Sequence, residues 1–352
     1  MTTKPDHTKL ESAIDKILSS PEATDVLLSR MRTKDLHVMR GVTHMGVNNP
    51  ERRDGARMAI VLDTETTGLD PKADKVIQLA MIKVLYDDEG IVEITDEIFD
   101  QMEDPGAPLD PKITGLTGIT DEHLKGQKID RAAVSAFIDG VDLFIAHNAA
   151  FDRKFMENNF KECGFDNVNW ACSISDVNWD SRVSGSAKLE LLVLSRGYVY
   201  PSHNAQADIR ATAFILNQAF EQETSVMNDI LESLERPHVM VMATGLPFGS
   251  QEPLKAAGFK WSPDRNGPAG DKCWWMTVST PQEAQDAAKA VKEAFGGDVM
   301  LPTRRFTPKT SYSDRLPPIV RNGFETKNPL KAIGADDLVK NLEEPGQSAF
   351  GF

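Results

Sequence analysis

The sequence predicts an α/β domain built on a mixed sheet flanked by helices, with a small α+β unit on its C-terminal side. Three observations carry this. Three apolar runs come first, at residues 59–62, 76–86 and 91–100, and Asp87-Asp88-Glu89-Gly90 joins the last two as a hairpin turn. From residue 129 onward, strand-like and helix-like patterns alternate, which places helices against the sheet. After residue 236 a shorter run of strands, rich in Trp and Met, starts afresh.

In chain order, residues 1–57 form an N-terminal extension and linker, with Leu10, Ile14, Ile17 and Leu18 at helical spacing. Residues 58–222 form the main domain. Its elements after the three strands are a loop at 105–111, a helix at 129–139 and a strand at 143–146. Helices follow at 151–163, 188–196 and 208–220. Residues 223–236 read as a connecting helix, and 237–299 as the small unit. In that unit, strands at 238–242, 259–261 and 273–278 surround a short helix at 254–257, and a helix at 281–295 opens with Pro281 in its first turn. Adjacent Trp274 and Trp275 point to opposite faces of a strand. Such aromatics either build the core of a small unit or stack on unpaired bases. Residues 300–352 are rich in Pro, Thr, Arg and Ser with little apolar periodicity, which predicts a flexible tail.

Composition narrows the function classes. No run is long and apolar enough to span a membrane, and the N-terminus lacks the pattern of a secretion signal. Cys163, Cys172 and Cys273 have no metal-ligand spacing, so they read as reduced cysteines of a cytoplasmic protein. The net charge of −14 argues against a protein that coats duplex nucleic acid by neutralising phosphates. It is compatible with an enzyme that grips one strand end, because bound cations reverse the local sign of an acidic site.

Three local patterns carry chemistry. Asp63-Thr64-Glu65-Thr66-Thr67-Gly68-Leu69 directly follows the first strand. His147-Asn148-Ala149-Ala150-Phe151-Asp152 follows the strand at 143–146. His203-Asn204-Ala205-Gln206-Ala207-Asp208 opens an apolar helical stretch. Asp63 and Glu65 are two apart, so on an extended backbone they share a side. Gly68 is expected to allow a sharp turn. His203 and Asp208 are five apart, about 500° of rotation on a helix, so His203 is expected on the entering loop and Asp208 in the first turn. Clustered carboxylates are hard ligands for Mg²⁺ or Mn²⁺, and two such ions can grip the attacking and leaving oxygens of a phosphodiester. A histidine can take the proton of the attacking water. Each pattern alone reads as turn or cap chemistry. All three in order, each at an element end, read as one metal-aided hydrolytic site.

These three segments resemble the motifs of the DnaQ-like 3′–5′ exonucleases, in the branch with His before Asp in the third motif. Leu116-Thr117-Gly118-Ile119-Thr120 resembles a further family segment. Trp170-Ala171-Cys172-Ser173 and the run from Leu254 to Trp261 are similar to bacterial and phage exonucleases related to the polymerase III epsilon subunit. The resemblance implies a ribonuclease H-like fold and a two-ion site. Asp63, Glu65 and Asp208 would hold one ion, Asp63 would bridge to the second, Asp152 would support the site, and His203 would act as base. It also implies substrate contacts at Thr66 and Leu69, with Asn148 and Phe151 shaping the same pocket. The implied activity is release of 5′-mononucleotides from a single-stranded DNA 3′ end, in proofreading or repair. Two other readings stay open: trimming of short RNA or tRNA ends, and a non-catalytic strand-end or replication-partner binder. The terminal Gln347-Ser348-Ala349-Phe350-Gly351-Phe352 resembles peptides that dock on the bacterial sliding clamp through a glutamine and apolar anchors, here Gln347, Phe350 and Phe352.

Overall fold

The computed structural model describes residues 47–263 and 269–334, together with residues 19, 20, 26, 29 and 40–42. The helical stretch expected at residues 9–28 falls almost wholly outside the described residues, as does the whole Gln347–Phe352 peptide.

A five-stranded mixed sheet is built from β1 (Arg57–Thr66), β2 (Val76–Asp87), β3 (Gly90–Met102), β4 (Leu143–Ala146) and β5 (Asn169–Cys172), in the order β3-β2-β1-β4-β5. The hairpin-linked β1, β2 and β3 pair antiparallel, whereas β4 and β5 join parallel to β1 through connections that contain helices. This is the ribonuclease H-like sheet the sequence predicts. Ile60, Val61 and Leu62 are at most 1% exposed, so helices cover both faces. Alternation along β1 sorts the faces. Ala59 and Val61 pack with α6 (Ala205–Leu216) and α7 (Val226–Glu235). Ile60 and Leu62 pack with α3 (Arg131–Phe137) and α4 (Ala149–Asn159). The helix expected as a mere connector, α7, buries Val226, Met227 and Ile230 in the first of these cores.

Two further helices, α1 (Pro111–Thr117) and α2 (Asp121–Leu124), lie between β3 and α3. The segment Leu116–Thr120 is therefore the end of a helix, stopped by Gly118 in the left-handed region at φ 73°. Strand β5, which periodicity did not mark, is short and buried from Trp170 to Cys172. α5 (Leu189–Ser195) precedes α6.

The C-terminal sheet holds β6 (His238–Ala243), β7 (Lys260–Ser262), β8 (Cys273–Val278), β9 (Met300–Phe306) and β10 (Val320–Glu325), in the order β10-β9-β6-β8-β7, with every pairing antiparallel. Between β6 and β7 lies the short α8 (Glu252–Ala256). Helix α9 (Pro281–Phe295) covers one face, with Thr280 and Glu283 capping its start. Trp274 packs toward that helix, while Trp275 packs on the opposite face with Met240, Met242 and Phe306. Trp261 stays 44% exposed beside Trp274.

The expected tail from residue 300 is corrected by this sheet. β9 lies between β6 and β10, and Leu301 and Phe324 are buried in the core under α9. Periodicity missed both strands because Pro302 and charged Arg304 and Arg305 interrupt β9, and β10 has little apolar character of its own. Gly323 is required there: a Cβ would sit 1.8 Å from the Thr303 hydroxyl oxygen. Register and crossing contacts, not local pattern, make these segments strands.

Candidate active site

Alternation at the end of β1 builds the site. Asp63 and Glu65 have the parity of Val61, so they face the side covered by α6. Thr64 has the parity of Leu62, so it faces α4. From α6 comes Asp208, in the helix's first turn after the Asn204 cap. Ligand oxygens of Asp63, Glu65 and Asp208 all lie within 4.8 Å of one another. From α4 comes Asp152, buried, whose Oδ1 accepts from the Thr64 amide at 3.1 Å and the Thr64 hydroxyl at 2.8 Å. Asp152 is thus tied to the middle of the Asp-Thr-Glu run and stands beside the three-carboxylate cluster, outside the group that shares one ion-sized space. The Thr64 tether is absent from the sequence reading. Alternation along β1 gives the face of Thr64 but not its partner 88 positions away.

A second unforeseen contact is Tyr200, whose hydroxyl donates to Asp208 Oδ1 at 3.0 Å, while the Asn204 amide donates to Oδ2 at 3.0 Å. His203 sits on the loop entering α6, exposed, as its spacing from Asp208 predicts. Its φ of 61° is in the left-handed region, uncommon for a residue with a side chain. His147 is held by Ser173 at 2.8 Å, and burial pushes its imidazole down to about 4.

The four carboxylates make each other costly to ionise. Burial first, then Asp152, Asp208 and Glu65, hold Asp63 well above the usual carboxylate range. Burial, then Asp208 and Asp152, push Glu65 up to about 8. Burial raises Asp152 to about 7 against the opposing Thr64 hydrogen bonds. Burial also raises Asp208, opposed by Tyr200 and Asn204. Oxygen donors crowded in this way fit a hard divalent cation, which would supply the charge they lack.

A prediction on stability follows. Without a cation, the folded state holds protons on these acids at pH values where the unfolded chain has released them. Their contribution to stability is full below the usual carboxylate pKa and is lost as pH rises through about 7 to 8. The lowered His147 works in the opposite sense, but only between about 4 and its ordinary 6.5. The melting temperature in chelator should therefore fall as pH rises from the ordinary carboxylate range to about 8, most clearly above about 6.5 where His147 no longer opposes it, and Mg²⁺ or Mn²⁺ should flatten that fall. A flat profile in chelator would contradict the crowding.

The expected substrate residues separate. Leu69, 84% exposed, and Phe151 line one groove of about 480 Å³ together with Asp70, Lys154 and Asp314. Thr66 is buried, and its hydroxyl donates to the Gly68 carbonyl at 2.6 Å, shaping the loop that presents Leu69. Asn148 is exposed at the start of α4 with φ 88° and is not among the residues lining that groove. Gly68 serves close approach rather than an unusual turn angle: a Cβ would meet the Asp74 carboxylate at 2.5 Å. Asp74 in turn accepts from the Thr67 hydroxyl and the Asp70 amide, closing the loop.

A mixed sheet that collects acids at the end of its central strand, from both flanking helical layers, defines the nuclease class of the ribonuclease H-like fold. Residues 60–216, just under half of the chain, match the RNase T exonuclease family. Over 107 residues the chain is 40% identical to a PolC-type DNA polymerase III of Halalkalibacterium halodurans, covering 30% of this chain and 7% of that protein. A PolC-type polymerase of Streptococcus pyogenes is 42% identical over 104 residues, 29% of this chain and 7% of the relative. The chain thus matches a small part of the length of these curated relatives. Among solved structures, E. coli exonuclease I with a dA16 oligonucleotide aligns at TM-score 0.41 and 16% identity, over 82% of this chain and 72% of that one. Exonuclease X with 5′-overhanging duplex DNA aligns at 0.36 and 22%, over 49% and 98%. No described helix is long and apolar enough to cross a membrane.

Proposed function

We propose that this protein is a metal-dependent 3′–5′ exonuclease acting on single-stranded DNA and releasing 5′-mononucleotides. The observation that carries the reading is the convergence of Asp63, Glu65 and Asp208 on one ion-sized space, with Asp152 beside them and His203 on an exposed loop at its edge. A pure binder of strand ends has no need of that histidine.

Asp63, Glu65 and Asp208 would hold Mg²⁺ or Mn²⁺, and Asp152, tied to Thr64, would support the site beside them. When bound, the cations supply positive charge to the attacking and leaving oxygens of the terminal phosphodiester. The residues of the chain do the rest. His203 accepts the proton of the attacking water, for which its exposed loop position leaves room. Tyr200 and the Asn204 amide hold Asp208 in place. Leu69 lies beside the terminal base, and the Phe151 ring, packed on Phe155 at 4.8 Å, forms the apolar floor of the same groove. The polymerase context of the PolC-type relatives is consistent with such a substrate. Replication or repair is the setting these relatives suggest.

The test is degradation of matched DNA and RNA strands carrying either a 3′ or a 5′ label. A 3′ label should leave at once as a 5′-mononucleotide, a 5′ label should descend a ladder, and DNA should be cut faster. Exhaustive chelation should abolish both signals. Full activity in chelator, or release of the 5′ label first, would overturn the proposal.

A further inference from the structure

Helix α4 is gripped from behind by the C-terminal unit. The irregular segment joining β9 to β10 leaves its own sheet and lies across the exonuclease domain as a strap. Arg153, next to Asp152 in sequence, is 0% exposed. Its guanidinium donates to the carbonyl oxygens of Pro308 at 3.3 Å, Lys309 at 2.6 Å and Ser311 at 2.6 Å, and through Nε to Glu157 at 2.8 Å. The Pro308 carbonyl also accepts from the amide of Trp170 at 3.0 Å, beside the edge of β5. The strap's side chains complete the grip. Ser313 donates to Glu157 at 2.5 Å, Arg315 to Glu157 at 2.9 Å, and Tyr312 to Asp176 at 2.6 Å. Asp314 pairs with Lys154 at 3.3 Å and lines the Leu69–Phe151 groove.

We propose that this strap is a working part of the exonuclease site: by holding Arg153 it fixes α4, and through α4 it sets the position of Asp152. The inference rests on the exonuclease reading above. Successive residues on a helix point about 100° apart, so Asp152 can face Thr64 while Arg153 faces the strap. A buried guanidinium needs its donors met, and apart from Glu157 the acceptors recorded for Arg153 are strap carbonyls. Helix and strap are therefore seated together, with Thr64 pinning Asp152 at the other end. Arg153 is a positioning residue, since it acts through its neighbour. A displacement of about 1 Å at a reacting centre can cost on the order of 10²-fold in rate.

The experiment compares the full-length protein with Arg153→Lys and with the double variant Ser313→Ala/Arg315→Ala. Lysine keeps the charge but cannot present a planar fork to three carbonyls. The double variant loosens the grip from the strap side, leaving α4 unaltered. Three readouts are taken: melting temperature, kcat and KM on a single-stranded oligonucleotide, and Mn²⁺ affinity from loss of the free-ion electron paramagnetic resonance signal. Arg153→Lys should lower kcat by about 10-fold or more with KM within about twofold, and should weaken Mn²⁺ binding severalfold. The double variant should move both in the same direction by less. A fall in melting temperature alone, with kcat per folded molecule and Mn²⁺ affinity unchanged, would reduce the strap to a structural brace and overturn the proposal. Should Arg153→Lys fail to fold, the double variant decides by the same criteria. If the native protein degrades no strand at all, the exonuclease reading falls, and Mn²⁺ affinity still decides whether the strap acts on the site.

Discussion

Replacing Asp63 with alanine is expected to lower strand hydrolysis by at least ~10³-fold, a loss of about 4 kcal/mol of transition-state stabilisation. Asp63 is the residue all the others press on. Asp152, Asp208 and Glu65 each raise its carboxyl, and it shares the ion-sized space with two of them. Without it the ion-sized space loses one of its three carboxylates, and with it the cation proposed there. The same crowding predicts a second, opposite effect. The cation-free Asp63→Ala protein should melt at a higher temperature than the native protein near pH 8, because a source of mutual repulsion is gone. Paired measurements of rate and melting temperature in chelator check both. A variant that keeps more than about a tenth of the native rate would remove Asp63 from the centre of the site.

His203→Ala is expected to lower kcat by about 10²–10⁴-fold, the usual contribution of a general base, while cation binding persists. Persistence follows from geometry, since His203 lies outside the carboxylate cluster, exposed on its loop. Its left-handed backbone raises an alternative cause of any loss, namely a disturbed loop. His203→Asn separates the two. Asparagine accepts φ near 61° more readily than alanine but is no base. Equal losses in both variants would assign the effect to the missing imidazole. Near-native activity in His203→Asn would assign it to the backbone and leave the proton acceptor to be found elsewhere.

Much of the site was legible because its determinants are local. The side shared by Asp63 and Glu65 is a consequence of strand alternation, and the loop position of His203 is a consequence of helical rotation. Both depend on a few adjacent backbone angles. The mixed sheet was legible through β4 for a related reason: a four-residue turn between β2 and β3 requires antiparallel pairing, and a long connection containing helices allows the parallel β4. Helices with caps and strong periodicity, such as α9 with Thr280 and Pro281, were read to their ends.

Contacts between residues distant in sequence were decided only in the folded chain. Thr64 with Asp152 spans 88 positions, and Arg153 with Ser311 spans 158. No periodicity in either segment encodes the other's position. Residues 300–334 looked like a tail because their own apolar content is low. They become strands and a strap because β6 offers an unpaired edge, Gly323 leaves room for Thr303, and buried Arg153 draws the carbonyls of 308–311 onto α4. The sequence by itself determined strands β1 to β4, most of the covering helices and the order of the acidic motifs, because these follow from alternation, rotation and turn length along the chain. The tertiary structure decided that Asp152 stands beside the ion-sized cluster, tied to Thr64, and that the C-terminal unit grips its helix. Buried hydrogen-bonding groups find their partners only when distant segments pack together.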